Sequence, residues 1–219
     1  MVWTPNKVTA LRVLVALAAV ALFGRGSSAN LAAVALTVTA TALDALDGHL
    51  ARKKQMATPL GAQIDILGDR MIENMFFTYF AVVGMVSLWL PVFFFARGAA
   101  TDLLRGLVGK AGYSGWGANA MFETRWGRAL AASRGSRALY AALKCAAFCF
   151  LGLELALTRG RVALLGSATQ LPIHSVAQVL TWAAALVCLL RGLPVVMEGA
   201  KFFVRETVPA RAGKSAEAA

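Results

Sequence analysis

Charged residues are scarce in this sequence: Asp, Glu, Lys and Arg supply 15% of the 219 residues, against 58% hydrophobic. With a mean hydropathy of +0.65, the chain has too little polar surface for a water-soluble domain of its size and belongs in a bilayer. Cysteine is nearly absent. Cys145, Cys149 and Cys188 are odd in number and all sit in apolar runs, which excludes a disulfide framework and leaves them as small hydrophobes. No internal repeat or low-complexity tract stands out. No platform of interleaved basic and aromatic residues is present either, so the net charge of +11 does not point to nucleic acid. Basic residues between apolar spans read instead as topology signals and as binders of anionic head groups or phosphorylated substrates. The first apolar run is too long, and too poorly followed by a cleavage site, for a removable signal peptide, so it reads as a mature span.

What the sequence has is long apolar runs. A spanning helix needs ~20 such residues, and the windows here predict helices over 8–24, 29–53, 62–86, 88–109, 137–157 and 174–197. Breaks fall at Gly24–Asn30, Thr58–Pro59, Leu90–Pro91, Gly112–Gly117 and Gly166–Pro172. The predicted fold class is all-α: a polytopic six-helix membrane bundle forming one domain over 1–205, with a polar, disordered tail over 206–219. With both termini cytoplasmic, only Arg25, Arg159 and Arg161 of the 22 basic residues fall outside, as the positive-inside bias requires. That orientation turns the charged 44–70 segment and the 105–137 loop toward the cytoplasm. Trp3, with Lys7 and Arg12 nearby, reads as an amphipathic lead-in anchored at the membrane interface.

The informative stretch is Leu43–Asp69, which crowds four aspartates against apolar helices, where an ionisable group is expensive unless paired or metal-bound. Asp44 and Asp47 are one turn apart, and Gly48 and Ala51 continue their stripe; Gly61, Asp65 and Asp69 form a second stripe at spacings of four. If the two helices pack antiparallel across Lys53–Leu60, the carboxylates converge on one small volume. Hard cations such as magnesium or manganese take carboxylate oxygen, and a pair of them can clamp the attacking and leaving oxygens of a phosphoryl displacement. Gly48, Ala51 and Gly61 leave room for a bulky ligand to approach the backbone. The alternative is that the aspartates cap helices or pair with Arg52, Lys53 and Arg70.

This stretch resembles the signature of the CDP-alcohol phosphotransferases, D-x2-D-G-x2-A-R-x8-G-x3-D-x3-D: Asp44, Asp47, Gly48, Ala51, Arg52, Gly61, Asp65 and Asp69 fill every fixed position. Asn6, Thr9 and Arg12 look like the family's N-x2-T-x2-R lead-in. The resemblance implies a six-helix membrane protein, usually a homodimer, with a cytoplasmic site. It makes Asp44, Asp47 and Asp65 metal ligands, and Asp69 both a ligand and the base that takes a proton from the acceptor hydroxyl. It also implies two divalent cations, magnesium or manganese; a CDP-diacylglycerol donor contacted by Asn6, Thr9, Gly48, Ala51, Arg52 and Gly61; and CMP as leaving group. Arg52 could neutralise phosphate or lock the helix pair, and Asn6 and Thr9 could instead cap the first helix. His49 lies off the aspartate stripe and reads as a surface group; His174 falls on the opposite side of the membrane.

A phosphorylated acceptor such as glycerol-3-phosphate needs fixed cations apart from the metal. Arg97, Arg105, Arg134 and Arg137 are on the required side, although Arg97 could also snorkel or pair with Asp102. The run from Ala96-Arg97 to Arg105, with Thr58-Pro59-Leu60-Gly61, resembles bacterial phosphatidylglycerophosphate synthases, and Gly68 and Arg70 depart from them. Inositol phosphate, or an unphosphorylated alcohol such as inositol, serine or choline, is the alternative acceptor. A cation-coupled transporter is the rival class, but it would carry carboxylates near the midplane on interrupted helices. The expected location is a bacterial inner membrane, among membrane lipids, with an organellar membrane as the alternative.

Overall fold

The computed structural model describes residues 5–53, 59–110, 122, 124–159 and 167–207, and among these every regular element is helical. α1 (Pro5–Leu22) opens on a proline, whose missing N–H costs nothing in a first turn. It stops before Gly24 and Gly26, which hold φ of 81° and 126°. Asn30 closes this corner, accepting from the Gly24 N–H at 2.7 Å and donating to the Leu155 carbonyl at 3.1 Å. α2 (Ser27–Lys53) follows, and its threonines return their hydroxyls to the carbonyl one turn back: Thr37 to Ala33 at 2.8 Å, and Thr41 to Thr37 at 3.1 Å.

α3 (Pro59–Val82) ends in a full Schellman motif. Met85 N–H bonds the Phe80 carbonyl at 2.9 Å, Gly84 N–H bonds Ala81 at 3.0 Å, and Gly84 takes φ 84°. The third helix therefore ends at Val82 instead of 86, and the break expected at Leu90–Pro91 lies at 83–88. α4 (Trp89–Lys110) carries Pro91 in its first turn, where proline is tolerated. A short α5 (Arg125–Gly127) runs into a π-helical turn, Arg128–Ala132, in a stretch expected to be loop. α6 (Arg134–Arg159) and α7 (Ser167–Thr207) complete the chain. α7 passes through Pro172 and Pro194, so the break expected at Pro172 is absent; apolar helices accept proline when neighbouring groups satisfy the freed carbonyls. Within α6 and α7, Arg134–Leu157 and Pro172–Lys201 are long and apolar enough to cross a membrane.

The chain divides into two compact units, Met1–Phe95 with Leu139–Leu186, and Ala96–Ala138 with Val187–Ala219. In the first unit the contacts fix helix directions. Arg12 meets Asp65 while Phe23 meets Phe76, Tyr79 and Phe80, so α1 and α3 are parallel. Glu73 meets Lys144 and Phe76 meets Phe148, so α3 and α6 are parallel too. Ser27 meets Ala156, Val34 meets Gly152 and Thr41 meets Cys145, so α2 runs against α6. An aromatic core of Phe23, Phe76, Phe77, Phe80, Phe94 and Phe148 fills this unit, with Phe77 stacked on Phe94 at 4.3 Å. The second unit packs Val108, Phe122, Ala131 and Val195.

Candidate divalent-cation site

α2 and α3 bring Asp44, Asp65 and Asp69 together: one oxygen of each lies within 4.8 Å of the others. Beneath them sits Arg12 of α1. Its side chain is 1% exposed, whereas those of Asp44, Asp65 and Asp69 are 35%, 46% and 50% exposed. The guanidinium reaches Asp65 and Asp69 at 3.1 Å each, pairs with Asp44, and approaches the Asp65 carbonyl at 3.5 Å. Gly68 makes this possible: a Cβ there would stand 3.0 Å from Thr9 Cγ2 and 3.2 Å from Arg12 Nη2. Arg12 is thus not an interfacial anchor but the buried floor of the carboxylate cluster. A charge in an apolar helix was its signal in the sequence.

Among the described residues one guanidinium stands against three half-exposed carboxylates, which leaves that group negative. All the donors are oxygen, and their spread suits hard cations, with bonds of ~2.1 Å to magnesium or 2.3–2.6 Å to calcium. The residues present therefore fit the implied metal. Asp47, Gly48, His49, Ala51 and Arg52 ride on α2, but their side chains lie outside the described residues. Gly61 is half-buried near the start of α3. Asn6 and Thr9 both lie inside α1, so neither caps it; Thr9 is buried against Gly68.

Glu73, four residues beyond Asp69, extends the acidic stripe and was passed over in the sequence. It is 1% exposed and holds Lys144 Nζ at 2.6 Å and the Tyr140 hydroxyl at 2.8 Å, with Arg70 at 3.6 Å. Arg70 thus faces Glu73. His174 is exposed, with Nδ1 2.7 Å from Glu154.

The arginines expected at an acceptor belong to the second unit. Arg97 is half-buried against Gly192, where a Cβ would stand 2.9 Å from its Nε, and that Nε has no hydrogen-bond partner among the described residues. Arg105 is half-buried, and Arg134 and Arg137 are exposed at the start of α6. The same unit contains buried polar groups that the sequence did not single out. Arg191 donates to the Leu130 carbonyl at 3.1 Å and to the Ser136 hydroxyl at 2.6 Å. Glu198 accepts from Thr124, whose hydroxyl also caps Gly127 N–H at 3.2 Å.

Residues 2–189 match the family model described as CDP-alcohol phosphatidyltransferase, and the chain belongs to that family. It is also 33% identical over 118 residues to proteins named "Probable phosphatidylglycerophosphate synthase" from two strains of Mycobacterium tuberculosis. Each match covers 51% of this chain and 56% of the relative, so the chain spans about half the length of the curated relatives it matches.

Proposed function

We propose that this protein transfers the phosphatidyl group of CDP-diacylglycerol to a phosphorylated alcohol such as glycerol-3-phosphate, releasing CMP. The observation that carries the reading is the cluster of Asp44, Asp65 and Asp69, whose oxygens lie within 4.8 Å of one another on an Arg12 floor. Asp44, Asp47, Asp65 and Asp69 would hold two divalent cations, magnesium or manganese, which would supply charge compensation for the pyrophosphate oxygens and the departing CMP. Asp69 takes the proton of the acceptor hydroxyl. The hydroxyl oxygen bonds to the lipid-bearing phosphorus as the bond from that phosphorus to CMP breaks. Asn6, Thr9, Gly48, Ala51, Arg52 and Gly61 line the donor.

Arg97, Arg105, Arg134 and Arg137 bind the acceptor phosphate, a reading supported by the shielded Nε of Arg97 and by the name of the mycobacterial relatives. The chain works as one membrane-embedded domain of six spans, both termini and the site cytoplasmic, in a homodimer in a bacterial inner membrane. Exposed apolar side chains such as Leu14, Leu17, Val179 and Trp182 favour a lipid surround. The test is CMP release from CDP-diacylglycerol by purified protein with magnesium or manganese and a panel of acceptors. Glycerol-3-phosphate should give the fastest release; no release with any acceptor would overturn the reading.

A further inference from the structure

α6 touches both helices that carry the carboxylates. Along α2 it is held by Ser27 with Ala156, by Asn30 with Leu155 and by the close pass of Gly152 over Val34, where a Cβ would stand 2.8 Å from Val34 Cγ2. Along α3 it stacks Phe148 on Phe76 at 4.7 Å. At the end of this seam nearest the aspartates, two consecutive residues of α6 reach in different directions. Lys144 bonds Glu73, one turn beyond Asp69 on α3, at 2.6 Å. Cys145 faces Thr41, one turn before Asp44 on α2.

We propose that Glu73, Lys144 and Tyr140 form a register lock that positions α6 between α3 and α2, and so keeps Asp44 at cation-binding distance from Asp65 and Asp69. The inference rests on the cation reading above. Three features make the lock more than a generic ion pair. Glu73 is buried, so its carboxylate stays with its partners instead of exchanging them for water. Lys144 lies 4.5 Å from the centroid of the Tyr140 ring, and the Tyr140 hydroxyl meets the same Glu73 oxygen, so two residues one turn apart on α6 fix a single point on α3. Cys145 follows Lys144 directly and faces Thr41, and α6 is packed on α2 at Ser27, Asn30 and Val34, so a slip of α6 along α3 is passed to the helix that carries Asp44.

The experiment exploits opposite signs. If Glu73 and Lys144 acted only through their fields, removing the anion would weaken cation binding and removing the cation would strengthen it. A register lock weakens binding in both cases. Manganese binding to the detergent-solubilised full chain, read by electron paramagnetic resonance, should weaken about tenfold in both Glu73→Gln and Lys144→Met, and about threefold in Tyr140→Phe. Gly152→Ala, at the far end of the seam, should lower the melting temperature without moving manganese affinity. Tighter or unchanged manganese binding in Lys144→Met overturns the lock, as does an equal loss in Gly152→Ala. Should Lys144→Met fail to fold, unchanged affinity in Tyr140→Phe overturns it. If the wild type itself shows no saturable manganese binding, the cation reading falls first, and the lock with it.

Discussion

The bonds described around buried charge differ between the two compact units. In the first, charge meets charge: Arg12 lies under Asp44, Asp65 and Asp69, and Glu73 is held by Lys144 with Arg70 nearby. In the second, the bonds described for two buried charges go to neutral groups, Arg191 to a carbonyl and a serine hydroxyl and Glu198 to a threonine hydroxyl. Among the described residues the arrangement around Arg12 is unbalanced, three anions to one cation, and that surplus is what an incoming divalent ion would neutralise. The bonds of the second unit serve instead to terminate helices. Leu130, inside the π-helical turn, gives its carbonyl to both Arg191 and Ser136, and Thr124 caps α5.

The largest effect should come from the surplus itself. Asp69→Asn keeps the shape of the side chain but cannot accept the acceptor proton. CMP release should fall by about 10³-fold, within the range attributed to general bases, while the melting temperature holds or rises as one of three like charges is removed. Full activity would remove Asp69 from the base role. Arg12→Met attacks the same cluster from below. Breaking a buried ion pair costs about 3–5 kcal/mol, and because these carboxylates are half exposed, about 2–3 kcal/mol is expected here. Thermal unfolding without divalent cation should show the loss, and added manganese should restore part of it. A variant as stable as the wild type would mean that Arg12 is not the floor of the cluster.

Packing offers a milder contrast, one glycine in each unit. A Cβ on Gly152 would stand 2.7 Å from Phe23 Cε1 and 2.8 Å from Val34 Cγ2, and one on Gly127 would stand 2.7 Å from Thr124 Oγ1 and 2.8 Å from Glu198 Oε1. Overpacking of this kind costs about 1–3 kcal/mol. Gly152→Ala should sit at the upper end, because aromatic and β-branched side chains in a filled core have little room to move. In Gly127→Ala the obstacles are ends of polar side chains, so about 1 kcal/mol is expected there. Melting temperatures of the two variants give the ranking, and the reverse order would show the first unit to be the looser one.

The carboxylate cluster was legible where its residues recur at the helical repeat. The aspartates at intervals of three and four, with glycines between them, announced two facing stripes, and the structure brings Asp44, Asp65 and Asp69 together. The all-helical class and approximate helix extents were legible because apolar runs are long and few. Ends were not. α7 runs through Pro172, where local propensity alone predicts a break. Arg12 was misread because one arginine near a chain start looks the same whether it faces lipid head groups or carboxylates of α2 and α3 far along the sequence. Glu73 stood in the acidic stripe, but its partners Tyr140 and Lys144 come from α6, and helical spacing within α3 cannot reveal them.

Arg97 joins the comparison to the choice of acceptor. Its side chain crosses Gly192, which has no Cβ to block it, and its shielded Nε has no hydrogen-bond partner among the described residues. A buried donor without a partner is costly, so such a group is either relieved by a ligand or selected against. An anionic phosphate would relieve it; a neutral alcohol would not. Arg97→Ala should therefore raise the Michaelis constant for glycerol-3-phosphate about tenfold, about 1.4 kcal/mol, and leave that for CDP-diacylglycerol within about twofold. Equal losses on donor and acceptor would place Arg97 among the packing groups of its unit. A loss of turnover alone, with both Michaelis constants unchanged, would remove Arg97 from acceptor binding.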